Sequence, residues 1–256
     1  MVLFLEHRFF VPASAKSALQ TLAQFHQPKY CTNLPGSDPC IYDVGFHYGF
    51  ASKAYLERGY RVLAVETNPE LLGRGHSSLA EYVFRDRLRL VGIGIHENSD
   101  QALPFYINKN DAWSSFDVKW GCRDDSGAPA EMVSPKWCSK IMVRTTSCAD
   151  LFERFGSPVY LRVSLENKEW ACLDSMRRMQ RSLMPDFVSV SNADRPFLDL
   201  LRELGYNRFK IVDMWYEQSK TSEELVELGT SVSDWGPSVL HMRRDANWRT
   251  YREIVD

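Results

Sequence analysis

Residues 40–70, CIYDVGFHYGFASKAYLERGYRVLAVETNPE, constrain the fold more than any other stretch of the chain. Two short β-prone runs, 40–44 and 62–65, flank a segment of helical composition that ends at Gly59. Both runs are too short for buried helices, so they are predicted as strands. Gly45 and Gly49 bracket the turn after the first strand, where glycine permits positive φ and close approach of a ligand. The stretch is therefore predicted to be a βαβ unit.

The acid that ends the second strand, Glu66, indicates a nucleotide-like ligand. In nucleotide-binding βαβ units, an acid about 20 residues after the first glycine binds the ribose hydroxyls. A dinucleotide fingerprint needs a middle glycine, but Phe46, His47 and Tyr48 fill this turn. Asp43 would repel a pyrophosphate and could pair with a cationic amino group. The pattern favours S-adenosylmethionine (SAM) as cofactor, with Asp43 at its amino end; the alternative is a βαβ unit without a ligand.

Composition is that of an ordinary α/β protein, most simply one domain over 1–256, with 44% hydrophobic and 25% charged residues. A formal net charge of −2 gives no general attraction to nucleic acid or anionic membrane, and no oligomeric state is indicated. The sequence shows neither a signal peptide nor an apolar run of about 18 residues, so a cytoplasmic location without membrane contact is expected. The six cysteines are expected to be reduced thiols, although Cys122 and Cys138 flank one loop and could pair if oxidised.

Strands alternate with helices along the rest of the chain. Further strands are predicted at 88–95, 103–108, 141–146, 159–165, 187–190, 209–212 and 238–242. Helices are predicted at 14–26, 68–80, 148–155, 166–180, 196–204, 222–228 and 244–255. This order predicts a doubly wound, mostly parallel, seven-stranded Rossmann-like sheet with an inserted hairpin and an N-terminal helix within a lead-in, 1–38. Ligands of such sheets bind outside the carboxyl ends of the strands, where Asp43, Glu66 and Ser164 fall.

A long polar segment, 109–139, separates the two strands of the expected hairpin. Loops of this length are usually functional or disordered. Trp113, Trp120 and Trp137 argue against disorder, because disordered segments are poor in aromatic residues. The segment is therefore predicted to be a lid over a substrate, with a packed surface excursion as the alternative.

Several segments together resemble one protein family, the FkbM-type SAM-dependent methyltransferases. IYDVGFHYGF resembles the family's D-V-G-A-N-x-G turn, and VLAVETNPE resembles V-x-A-F-E-P-N-P-E. LRLVGIGIHENSDQALPFYINKNDAWSSF is similar to the stretch that ends in paired serines, and VRTTSCADLFERFGSPVYLRVSLENKEWACLDSM to V-x-T-T-x-L-D-D-L followed by L-K-I-D-x-E-G-x-E. The resemblance covers roughly 38–212. It implies a class I methyltransferase fold, SAM as cofactor, and a hydroxyl of a sugar or natural product as small-molecule acceptor.

The resemblance also assigns candidate site residues. The cofactor-binding set is Asp43, Gly45, Phe46, His47, Gly49, Glu66, Thr67, Asn68 and Ser164. The substrate-binding set is Ser114 and Ser115, which match the family's paired serines, with Trp113, whose ring could stack on a sugar face or belong to the core. Glu166 and Glu169 match two family acids and are the candidate general bases, or else acids that complement a helix dipole. His47 is a second candidate base, or a partner of the cofactor's carboxylate. A metal site would need clustered acids or histidines, and none is expected because Ser164 stands where the family has an aspartate.

Two functions from different classes follow. The first is an O-methyltransferase acting on a small hydroxylated acceptor. The alternative is a catalytically degenerate SAM-binding pseudo-enzyme that serves as an interaction module, since Ser164 replaces a family aspartate and Ser191 with Asn192 stand where relatives often have a glutamate. A nicotinamide oxidoreductase is disfavoured by the missing glycine, and an RNA methyltransferase by the lack of a basic stripe.

Overall fold

A computed structural model describes residues 2–6, 29–32, 37–165, 167–191, 194–212 and 249–255. Its strands are β1 Val2–Glu6, β2 Cys40–Val44, β3 Arg61–Glu66, β4 Leu88–Gly92, β5 Gly94–Ile95, β6 Ala102–Asn108, β7 Cys138–Thr146, β8 Tyr160–Val163, β9 Phe187–Ser191, β10 Arg208–Val212 and β11 Arg249–Thr250. Its helices are α1 Phe50–Glu57, α2 Pro69–Ser78, α3 Ala80–Phe84, α4 Val118–Gly121, α5 Cys148–Phe155, α6 Glu169–Ser175, α7 Arg195–Glu203 and α8 Tyr251–Val255. Short 3₁₀ turns occupy Asp111–Trp113, Met176–Arg178 and Arg181–Leu183.

Five parallel strands form the centre of the main sheet, in the order β4-β3-β2-β8-β9. Helices flank this sheet, so the fold is mixed α/β and compatible with a Rossmann-like architecture, as the βαβ pattern predicts. The chain runs outward from β2 to β4 and then returns to β8 on the other side of β2. The carboxyl ends of β2 and β8 therefore lie at a topological switch point, where ligands of open α/β sheets bind.

The other edge of the sheet differs from the prediction. β1 inserts antiparallel between β9 and β10, and β11 pairs with β10, so the described sheet has eight strands. The sequence does not predict β1, because this strand is defined by long-range pairing and not by a local pattern. The elements predicted at 14–26, 222–228 and 238–242 lie outside the described residues.

The predicted hairpin is confirmed as β6 and β7, paired from Ala102↔Arg144 to Asn108↔Cys138. The predicted strand 88–95 is divided: β4 belongs to the main sheet, whereas β5 pairs with β7 in a second, three-stranded sheet. A side chain at Gly94 would place its Cβ 2.3 Å from the Phe116 ring, so glycine permits this junction to pack closely. The β6–β7 hairpin is therefore connected to the main sheet at the carboxyl end of β4.

Local signals set the helix boundaries. Asn68 accepts a hydrogen bond from the Glu70 N–H at 3.0 Å, and Pro69 occupies the first helical position, so α2 begins where the sequence predicts. α6 is shorter than the predicted 166–180 helix, because it ends at Ser175 and a 3₁₀ turn follows. None of the described helices is long and apolar enough to cross a membrane.

The central strands bury both faces. In β3, Leu63 and Val65 pack into one apolar cluster, whereas Val62 and Ala64 pack into another on the opposite face. Burial on both sides explains why β3 reads as a continuous apolar run with no alternation. Helices therefore cover the sheet on both sides, and the open ends of its strands are left for a site.

All six cysteines are paired, which corrects the expectation of reduced thiols. The pairs are Cys31–Cys40, Cys122–Cys138 and Cys148–Cys172, with Cα–Cα distances of 5.4, 5.0 and 4.9 Å. The sequence raised only the Cys122–Cys138 pair, as a possibility under oxidation. The other pairings depend on how β2 meets the preceding segment and how α5 meets α6, which cysteine spacing does not reveal.

Candidate functional site

A cavity of about 670 Å³ opens at the carboxyl ends of β2, β3 and β8. Its walls are the 45–49 turn with the start of α1, the end of β3, the segment after β8, and part of the connection between β6 and β7. This volume lies within the range of small-molecule and cofactor sites, roughly 300–1,000 Å³. The position matches the one predicted from the βαβ unit.

The 45–49 turn depends on its two glycines. Gly45 has φ +92°, and a Cβ there would lie 1.9 Å from the Ser164 carbonyl oxygen. Gly49 has φ +77°, and a Cβ there would lie 2.3 Å from the Phe46 ring. The N–H groups of Gly45 and Phe46 both donate to the Val65 carbonyl at 3.0 Å, which fixes the turn to the end of β3. Any larger residue at either glycine would displace this wall.

Glu66 lies at the end of β3, on the cavity wall and almost wholly buried. Its carboxylate accepts the His47 N–H and the Asn68 N–H, each at 2.8 Å. Burial raises the pKa of Glu66 above its ordinary value, and these backbone donors offset only part of that effect. A carboxylate has about four acceptor sites, so Glu66 retains capacity for a further donor such as a ribose hydroxyl. Thr67 also lines the cavity, whereas Asn68 is buried as the cap of α2.

Asp43 lies beneath the turn and not on the cavity wall. It is fully buried, and its two oxygens accept hydrogen bonds from Arg162 Nη1 at 2.7 Å and Ser52 Oγ at 2.6 Å. Arg162 Nη1 also donates to the Gly45 carbonyl at 3.2 Å. The sequence assigns Asp43 to the amino end of the cofactor. In the structure this acid instead pairs with Arg162. The sequence did not indicate that Arg162 pairs with Asp43, because 119 residues separate the two.

The segment after β8 contributes Ser164 and Glu169 to the cavity. Ser164 N–H donates to the Val44 carbonyl at 2.9 Å, and its hydroxyl lies 3.4 Å from that of Ser191. Glu169 is buried at the start of α6, where one oxygen accepts the Leu165 N–H at 3.3 Å. Glu166 lies outside the described residues, so the predicted pairing of the two acids stays a prediction.

Only the first part of the predicted lid reaches the cavity. Ser114 and Ser115 line it as predicted; the Ser114 hydroxyl accepts the Asn108 N–H at 3.1 Å. Trp113 is not on the wall: its ring lies against the Arg123 guanidinium, 4.3 Å from ring centroid to Cζ. The remainder, 117–137, packs away from the cavity and is closed at its base by a disulfide, which matches the alternative of a packed excursion.

Asp111 joins this wall to the glycine turn. Its oxygens contact His47 Nε2 at 2.9 Å and the Tyr48 hydroxyl at 2.5 Å, and all three side chains line the cavity. Burial alone would raise the pKa of Asp111, but the hydrogen bonds from Tyr48 and His47 outweigh it and leave that pKa below its ordinary value. The sequence did not identify Asp111, because more than sixty residues separate it from the turn and nothing local marks it.

The described residues suit an adenosyl ligand better than a metal. The glycine turn allows close approach, Glu66 offers acceptors at the position of a ribose, and Arg162 and Lys168 add positive charge to the wall, which suits a ligand carboxylate. In the same described part of the chain, no group of three or more His, Cys, Asp or Glu side chains is arranged to hold a metal ion.

Comparison of the chain with protein-family models, curated proteins and solved structures finds no match in any of the three. The resemblance to FkbM-type methyltransferases therefore stays a prediction from the sequence.

Proposed function

We propose that this chain is an S-adenosylmethionine-dependent methyltransferase of FkbM type, acting on a hydroxyl of a small acceptor. The observation that carries the proposal is Glu66, buried at the end of β3 yet facing a cavity over a glycine turn. An acid at that position of a βαβ unit binds ribose hydroxyls. The ordered resemblance along 38–212 supports the same cofactor.

The residues of this chain would hold the cofactor and position the acceptor. Bound SAM would supply a methyl group on a sulfonium, whose transfer breaks a sulfur–carbon bond, forms an oxygen–carbon bond and releases the hydroxyl proton. Gly45 and Gly49 admit the cofactor to the backbone, and Glu66 binds its ribose. Ser114 and Ser115 place hydroxyl groups on the acceptor side of the cavity. Alignment of the reacting groups supplies most of the acceleration in such a transfer.

Glu169 remains a candidate for the group that takes up the hydroxyl proton, together with Glu166. A general base within hydrogen-bond reach contributes about 10²–10⁴-fold to the rate. Glu169 lies on the cavity wall, where one of its oxygens accepts the Leu165 N–H.

The test of the cofactor is calorimetric titration with S-adenosylhomocysteine, with NAD as the control ligand. We expect micromolar binding of the first and none of the second. Glu66→Ala should weaken binding by about 1–3 kcal/mol, the scale of hydrogen bonds to a charged group. Glu70→Ala is the matched control, because Glu70 is an exposed acid on α2 paired with Arg74.

Unchanged affinity in Glu66→Ala would remove the ribose role, and binding of neither ligand would refute the proposed cofactor. Binding of S-adenosylhomocysteine without methyl transfer to any of a panel of glycosides and phenols would favour the pseudo-enzyme. The feature behind that alternative is the pair of hydroxyl groups, Ser164 and Ser191, at the cavity where relatives carry acids.

We further propose that the chain matures in an oxidising compartment and not in the cytoplasm. The three disulfides support this, because structural disulfides are rare in reducing compartments.

A further inference from the structure

The contact between His47 and Asp111 fixes which imidazole nitrogen carries the proton. An ionised carboxylate can only accept hydrogen bonds, so Nε2, 2.9 Å from Asp111 Oδ1, must be the donor. A neutral His47 is then the Nε2–H tautomer, and its Nδ1 carries a lone pair. Within the described ranges, Nδ1 takes part in no hydrogen bond.

This imidazole lies on the wall of the cavity. His47 lines the cavity with its side chain 39% exposed, and its own N–H is held by Glu66. The backbone of His47 has φ +52°, a left-handed conformation that is uncommon for residues other than glycine. Glu66 thus binds the backbone of His47 and Asp111 binds its side chain. Together they hold this residue in its strained conformation at the cavity wall.

We propose that Nδ1 of His47 accepts the proton of the acceptor hydroxyl and that Asp111 is its positioning residue. The inference rests on the proposed methyl transfer. The hydroxyl O–H bond breaks and its proton goes to Nδ1, while the electron pair freed on oxygen forms the bond to the methyl carbon. The sulfur–carbon bond of the donor breaks with its electron pair left on sulfur, so atoms and charge balance.

The charged groups around His47 favour this role. Asp111 contacts the imidazole ring directly, whereas the Glu66 carboxylate accepts the backbone N–H of His47. Tyr48, whose ring centroid is 4.2 Å from that of His47, donates its hydroxyl to Asp111, and Arg74 acts on both Tyr48 and Asp111 through space. Asp111 thus orients the ring through its contact with Nε2. Nucleophile–base–orienter arrangements use a third group in this way.

The experiment is long-range ¹H–¹⁵N NMR correlation of the histidine rings, which distinguishes the two neutral tautomers without any acceptor. At alkaline pH we expect the Nε2–H tautomer for His47, assigned by loss of its signals in His47→Asn. His76, exposed on α2, is the reference ring in the same spectrum. Asp111→Ala should give a mixture of tautomers, whereas Asp111→Asn, whose amide oxygen can still accept from Nε2, should retain the Nε2–H form.

An Nδ1–H tautomer in the wild-type chain, or an unchanged tautomer in Asp111→Ala, would overturn the proposal, because Nδ1 would then be unable to accept a proton or Asp111 would not set it. S-adenosylhomocysteine affinity is measured in parallel for each variant. Failure of that ligand to bind any variant would refute the proposed cofactor, a separate outcome. With an acceptor in hand, His47→Asn should lower kcat by roughly 10²–10⁴-fold; retained turnover would also overturn the proposal.

Discussion

Asp43 and Arg162 show how a buried acid can support a site by holding an arginine of the cavity wall. Asp43 is wholly buried and the Arg162 side chain is only 16% exposed, so both charges have left water and depend on each other. Burial would by itself lower the pKa of Arg162, but the charge of Asp43 keeps it above the ordinary value. Because Arg162 also holds the Gly45 carbonyl, the pair connects β8 to the glycine turn.

Replacing Arg162 should therefore lower the free energy of unfolding. Among the described side chains, Arg162→Met leaves the buried Asp43 with the Ser52 hydroxyl as its hydrogen-bond partner. Breaking a buried pair in this way typically costs about 3–5 kcal/mol. Urea unfolding measures this loss. Arg177→Met is the control, because Arg177 pairs with Asp174 and Glu203 on the surface. This substitution should lower the free energy of unfolding by less than about 1 kcal/mol. Equal, small losses in both variants would show that the Asp43 charge is not held by Arg162.

Asp111 gives a second prediction at the level of one residue. Because its pKa is lowered in the folded chain, its contacts stabilise the fold above the ordinary aspartate pKa of 3.8, and this contribution is lost as pH falls through the folded value. A ¹³C titration of the carboxyl should place its pKa below 3.8. Tyr48→Phe should move the pKa upward by removing a donor, whereas Tyr60→Phe, at the opposite end of β3, should not. An unshifted titration in Tyr48→Phe would contradict the observed contact.

At the scale of elements, the sequence predicts what is encoded locally. The βαβ unit was identified because Gly45, Gly49 and Glu66 lie at fixed offsets on either side of one helix. The hairpin was identified because β6 and β7 are β-prone runs. β1 was missed, since its five residues become a strand only through pairing with β9 and β10.

The connection between β6 and β7 shows the same limit of prediction from local sequence. Its tryptophans predicted an ordered segment but not which part faces the cavity. Ser114 and Ser115 face it, whereas Trp113 packs on Arg123. The difference arises because the backbone of Ser115 pairs with that of Tyr106 in β6, at 2.9 and 3.0 Å, and this long-range pairing sets the orientation of the neighbouring residues.

At the scale of the whole molecule, the disulfides join the parts that build the site. Cys31–Cys40 secures the entry to β2, Cys122–Cys138 closes the base of the β6–β7 connection, and Cys148–Cys172 ties α5 to α6. All six cysteines are buried, and structural disulfides of this kind form in oxidising compartments. The oxidation state therefore depends on the compartment in which the chain folds.

The decisive measurement is the mass of protein taken directly from its producing cells and alkylated in denaturant. Denaturant is needed because the sulfur atoms are buried in the fold. We expect no alkylated cysteine without prior reduction and six after it, with an unreduced mass about 6 Da below the reduced mass, since each of three disulfides lacks two hydrogens. The paired variant Cys148→Ser/Cys172→Ser should lose about 3 kcal/mol of stability, because this bond closes a loop with a sequence separation of 24. Free thiols in the unreduced protein would instead place its folding in a reducing compartment, and the cytoplasmic location expected from the sequence would stand.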